Sequence, residues 1–291
     1  MTGLCDEVRS SCAAIAAGAR WVQIDADALA GVEPGAPPAL DPVRHYLEGP
    51  PQDVATYMLV LDAVNFGSGW FPTLRKRSGS SGYFTVAWAI ADRFRAEGAW
   101  TAGQLRGMRT EEIADTLGQR RDHELMALYA QALRLLGRFL GRRDALALVG
   151  EARGSAERLA TMLARGMAMF ADRGFYKRAQ IAAADLALAG VARFRDLDRL
   201  TIFADNLVPH VLRCDGVLRY DERLAAQIDA GRLLSFGAQE REIRACALHA
   251  CELIAARAGV SAHELDNWLW NRGQAPAYKE RPRHRCRTVF Y

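Results

Sequence analysis

The sequence predicts an all-α fold: a single domain of roughly a dozen helices, with at most a few short strands. Three observations carry this. Apolar residues recur at helical spacing, helix start and stop signals repeat along the chain, and strand-like alternation is scarce. With 291 residues, 50% of them hydrophobic and 25% charged, the chain can bury a sizeable core. No internal repeat and no compositional break divides residues 1–291.

The N-terminal third reads as irregular. GVEPGAPPALDP, residues 31–42, is a loop by its proline and glycine content, and RKRSGSSG, residues 75–82, is a second. Thr101 with Gln104, and Ser261 with Glu264, fit the capping box, in which each side chain satisfies the other residue's free N–H. In ELMALYAQALRLLGRFLG, Leu125, Leu128, Tyr129, Ala132, Leu136, Phe139 and Leu140 form one apolar stripe. Gly190 and Gly231 follow helical runs and suit the left-handed position past a helix end. Cys246 and Cys251 lie in an apolar helical run and read as small buried hydrophobes. CRTVFY at the C-terminus reads as one short strand.

A net charge of +4 without a basic stripe argues against wrapping nucleic acid, so no stable nucleic-acid partner is expected. No apolar run is long enough for a membrane span, which takes roughly 18 residues or more. No signal-peptide pattern opens the chain, so a reduced, cytoplasmic protein is expected. The six cysteines include no CxxC pair, and no His/Cys cluster has zinc spacing, so no metal is expected.

Three segments are candidates for chemistry. In TIFADNLVPHVL, Pro209 is tolerated only in a first helical turn or outside a helix, so Asp205 sits just before a helix. It is either an N-cap or a carboxylate in a partly apolar pocket. In FYKRAQIAAADL, a Lys–Arg pair at a helix start opposes the macrodipole. It is either a solvated turn or an anion site; Lys177 is one of only three lysines, with Lys76 and Lys279. In DAVNFGSGWFP, Asn65, Phe66 and Trp70 place an amide and two aromatics around glycines. They either wrap a heterocycle or anchor a turn in the core. Glu242 and Arg244 lie two apart in EREIRA, so they do not share a helix face.

Together LDAVNFGSGW, SGYFTVAWAI, FYKRAQIAAADL, TIFADNLVPHVL, EREIRA and the tail NWLWNRG…RHRCRTVFY resemble the queuosine salvage protein family, in family order from about residue 50 to the end. The resemblance implies an all-α domain related to helix-hairpin-helix DNA glycosylases. It implies release of queuine, a 7-deazaguanine base, from queuosine 5′-phosphate, with neither metal nor redox cofactor. Asp205 matches the family's catalytic aspartate and Lys177 a site lysine. Asn65, Phe66 and Trp70 are then expected to hold the base, and Asn206 or Asn65 to meet the cationic arm of queuine. The chain departs from the family at NFGSGW, where the family carries NF.FW. It departs again at Asn206, Leu207 and His210, where the family carries FADYR.PQ. The expected partner is therefore a small nucleotide. The rival readings are a hydrolase of another purine or 7-deazapurine nucleoside, a DNA-glycosylase-like DNA-binding protein, and a non-enzymatic binder of nucleotides. The oligomeric state is left open.

Overall fold

The computed structural model describes residues 3–291; Met1 and Thr2, the first two residues of the expected domain, lie outside them. Among the described residues there are fourteen α-helices and one two-stranded sheet, so the all-α expectation holds. Helix α1 (Leu4–Ala17) leads to strand β1 (Val22–Ile24), then α2 (Ala26–Ala30), α3 (Pro51–Ala63) and α4 (Gly82–Glu97). Short helices α5 (Ala102–Gly107) and α6 (Thr110–Thr116) precede the long α7 (Glu124–Leu140). Then come α8 (Ala145–Glu151), α9 (Ala156–Gly166), α10 (Lys177–Leu188) and α11 (Val208–Cys214). Strand β2 (Leu218–Tyr220), α12 (Glu222–Asp229), α13 (Ala238–Ala258) and α14 (Ala262–Arg272) complete the chain.

Local signals account for much of this. Both capping boxes form, opening α5 and α14. Gly190 and Gly231 adopt φ of 72° and 70° just past α10 and α12. On α7 the stripe is buried except at Leu128 and Phe139, which are half-buried. Cys246 and Cys251 are buried on α13.

Two expectations are corrected. The N-terminal third is irregular only between its helices. Residues 4–17 are helical, and the buried stripe there is Cys5, Val8 and Cys12. Two of its three anchors are cysteines, which makes the apolar period faint. The C-terminal CRTVFY is not a strand. It runs as an extended tail whose Tyr291 carbonyl accepts the Gly67 N–H at 2.9 Å, a single tie rather than a ladder. The only strands among the described residues are β1 and β2, antiparallel with Val22 opposite Tyr220.

The apolar core has two parts. One is built around α3, α4, α7, α9 and α10; the other around α11–α14. Helix α1 packs on α13 and also meets α9, tying the two parts into one body. A large cavity is walled by residues of both parts. Among the described residues, no helix is long and apolar enough to cross a membrane.

Candidate active site

Asp205 lies at the entry to α11. Pro209 occupies the second helical position and has no N–H to satisfy. Asp205 Oδ1 accepts the N–H groups of Leu207 at 2.7 Å and Val208 at 3.2 Å. Among the described residues nothing donates to Oδ2, and the side chain lines the cavity. Asp205 is not itself the N-cap, which is Leu207; from two residues ahead of that position its Oδ1 holds the backbone, while the side chain borders the cavity. These bonds fix its direction.

The Lys–Arg pair divides at the start of α10. Tyr176, immediately before it, takes the left-handed conformation at φ 50°. Lys177 is buried, lines the cavity and donates to the Asn65 carbonyl at 3.2 Å. Arg178 turns away from the cavity. It is fully buried between the rings of Phe66 and Phe170, each 4.7 Å from its guanidinium carbon. It donates to the carbonyls of Met169 and of Ala63, the latter at 2.6 Å. It therefore satisfies the C-terminal end of α3. Neither residue is a solvated basic turn.

Both loops that carry these residues are held by Arg244. Its Nε donates to the Ala204 carbonyl at 2.8 Å, one residue before Asp205. Its two other nitrogens pair with Asp172, in the turn before α10, and with Glu240 at 3.4 Å. Arg244 is fully buried. Glu242, on another face of α13, accepts the N–H groups of Arg20, Trp21 and Val22 at 2.5 to 2.9 Å. The two residues of EREIRA thus serve different elements, as their spacing requires.

The remaining expected residues separate. Asn65 and Phe66 line the cavity, Phe66 edge-on to Tyr129 with centroids 5.0 Å apart. Asn65 donates to Asp62 Oδ1 at 3.4 Å. Asn206 also borders the cavity, but its amide is engaged with the His284 carbonyl at 2.9 Å. Trp70 does not line the cavity: its indole points into the core and donates to Glu124 at 2.7 Å. Of the two readings of that segment, Trp70 follows the core-anchor one. Its glycines serve the tail, since a Cβ on Gly69 would come within 2.4 Å of the Cys286 carbonyl oxygen. Tyr83, Phe203 and Trp270 supply the aromatic wall instead.

Three acids were not anticipated. Asp185 and Asp266 line the cavity and Asp62 lies buried beneath it. Asp62 and Asp185 are each a lone acid inside an apolar run, in LVLDAV and AAADLAL, the same signal that marks Asp205, whereas Asp266 shares HELDNWLW with Glu264 and carries no such signal. Burial pushes the Asp266 carboxyl up to about 8, with the charge of Asp205 as the next cause. Asp266 Oδ1 accepts the Phe203 N–H at 2.9 Å. Burial also raises Asp62 and Asp185, which face one another. Asp62 Oδ2 is buried without a hydrogen-bond partner, and burial together with the facing carboxyl disfavours the charged form of both acids. Burial lowers Lys177, opposed by the charges of Asp205 and Asp62. The cavity, about 1350 Å³, has room for a nucleotide. Its lining brings together the oriented Asp205, the buried Lys177 and Asp266, whose carboxyl is pushed up to about 8.

The comparisons agree with this geometry. The profile described as Queuosine salvage protein matches residues 45–291. A queuosine 5′-phosphate N-glycosylase/hydrolase of Sphaerobacter thermophilus is 33% identical over 94% of this chain and 94% of its own. The proteins of that name from Dictyostelium discoideum and Mus musculus are 38% and 31% identical. The first match covers 40% of each chain, the second 47% of this chain and 48% of its own. A match over most of the chain leads to a plain conclusion: the chain belongs to the queuosine salvage protein family.

Proposed function

We propose that this chain hydrolyses the N-glycosidic bond of queuosine 5′-phosphate and releases queuine. The observation that carries the reading is Asp205, one oxygen locked by two backbone N–H groups and the side chain bordering the cavity beside buried Lys177. Glycoside cleavage passes through an oxocarbenium-like transition state with positive charge on the ribose. A preorganised carboxylate stabilises that charge and orients a water; such groups are worth roughly 10² to 10³ in rate. Water adds to C1′ as the C1′–N bond breaks, and its proton goes to Asp205. The base leaves with the electron pair of that bond and takes a proton from Asp266, which yields free base and ribose 5-phosphate. The raised pKa of Asp266 suits it to donate that proton.

Lys177, buried beside Asp205 and tied to the Asn65 carbonyl, is assigned to the leaving base. The amides of Asn65 and Asn206 are occupied, which moves the partner of queuine's cationic arm to Asp185, backed by Asp62. The aromatic wall of Phe66, Tyr83, Phe203 and Trp270 stacks on or edges the base. Incubation with a panel of nucleosides and 5′-nucleotides, with product masses read directly, tests the reading. Queuine and ribose 5-phosphate are the expected products. Equal turnover of guanosine or inosine phosphates would sink the substrate assignment.

A further inference from the structure

We infer that Arg283 receives the 5′-phosphate of the substrate, because it is the one half-buried cation of the cavity wall left without a protein partner among the described residues. The inference rests on the nucleotide-hydrolase reading above. The other wall cations are engaged or peripheral. Lys177 is tied to the Asn65 carbonyl at 3.2 Å and Arg44 to Asp41 at 3.3 Å. Arg77 pairs with Asp92 at 2.7 Å, Arg281 with Asp229 at 3.0 Å, and Arg285 donates to the Gly231 carbonyl at 2.6 Å. Lys76 and Lys279 are exposed on the rim. Arg283 makes neither a hydrogen bond nor an ion pair, and it lines the cavity together with Asp205.

Its position is fixed rather than incidental. The main chain just beyond it is held twice: the His284 carbonyl takes the Asn206 amide at 2.9 Å, and the Arg285 carbonyl takes the Leu234 N–H at 2.8 Å. Asn206 follows Asp205 directly, so the tail and the catalytic loop are stitched together at this point. Burial lowers the Arg283 pKa, and Asp205 is the carboxylate that opposes this. A desolvated guanidinium without a partner is costly, and a phosphate satisfies it through two parallel charge-assisted hydrogen bonds. With C1′ of the ribose at Asp205, the 5′-phosphate lies only a few bonds away and needs a cation near Asp205. Lys177 is already engaged with the Asn65 carbonyl at 3.2 Å.

The test is calorimetric titration of the full chain with ribose 5-phosphate and with ribose, for wild type, Arg283→Gln and Lys76→Met. The expected result is tighter wild-type binding of the phosphate sugar. Arg283→Gln should weaken it about 10- to 100-fold, from loss of charge-assisted bonds. Lys76→Met should change it less than about threefold, as a solvated charge does. Absence of wild-type ribose 5-phosphate binding, or equal affinity in Arg283→Gln, overturns the assignment. Queuine release by wild type, followed by mass in parallel, separates the two claims. Release without Arg283-dependent phosphate binding removes only this inference. Phosphate binding without release removes only the hydrolase reading. Should Arg283→Gln not fold, Arg283→Lys keeps the charge and loses the fork. It should weaken binding about three- to tenfold, and unchanged affinity in that variant counts against the assignment.

Discussion

Arg244 donates its Nε proton to the carbonyl of Ala204 at 2.8 Å, and so sets the backbone from which Asp205 projects. The same guanidinium pairs with Asp172 and Glu240, so one buried cation aligns the approaches to α10 and α11. Replacing Arg244 with Met should destabilise the fold by about 3–5 kcal/mol, because Asp172 and Glu240 are left buried and unpaired. Urea unfolding measures this. A loss below about 1 kcal/mol would mean that the carboxylates find other partners.

Asp205→Asn should fold and lose turnover. The amide oxygen still accepts the Leu207 and Val208 N–H groups, so unfolding midpoints should stay close to wild type. The charge facing the ribose is gone, and kcat should fall by about 10² or more. Near wild-type kcat in a folded variant would reduce Asp205 to a structural role at the entry to α11.

Lys177→Met should lower kcat well beyond Lys76→Met or Lys279→Met. Lys177 is buried among the site carboxyls, whereas Lys76 and Lys279 are exposed. Steady-state kinetics on the three variants decide this. Equal, small effects would separate Lys177 from the reaction.

Asp266 predicts a pH dependence of stability. Its folded pKa of about 8 stands far above the ordinary carboxylate value, burial being the main cause. Between those two values the native state holds a proton that the unfolded chain has released. Stability should therefore fall as pH rises from about 4 to about 8, and level off above. Asp266→Asn does not titrate, so its stability relative to wild type should rise across the same window. Urea unfolding of both proteins at several pH values tests the sign, and parallel pH profiles would refute it.

The all-α class, both capping boxes, the α7 stripe and the helix start after Asp205 were legible because each depends on residues three or four apart. Local spacing is what sequence encodes directly. The α1 helix was less legible, since its buried stripe is carried by Cys5 and Cys12. CRTVFY carried a strand pattern but lacks a partner strand, and pairing is not a local property.

The sequence by itself determined the class of the fold and the family, and singled out Asp205 and Lys177 as candidates. Tertiary structure alone decided what each charge faces. Lys177 and Arg178 are neighbours in the chain, yet a turn of about 100° along the helix sends one to the cavity and the other beneath α3. Asp62, Asp185 and Asp266 come from three helices far apart in sequence, and Trp70 leaves the site that its neighbour Phe66 borders. Whether a carboxyl is ionised depends on burial and on charges brought close by folding, so no inspection of a linear run could assign it.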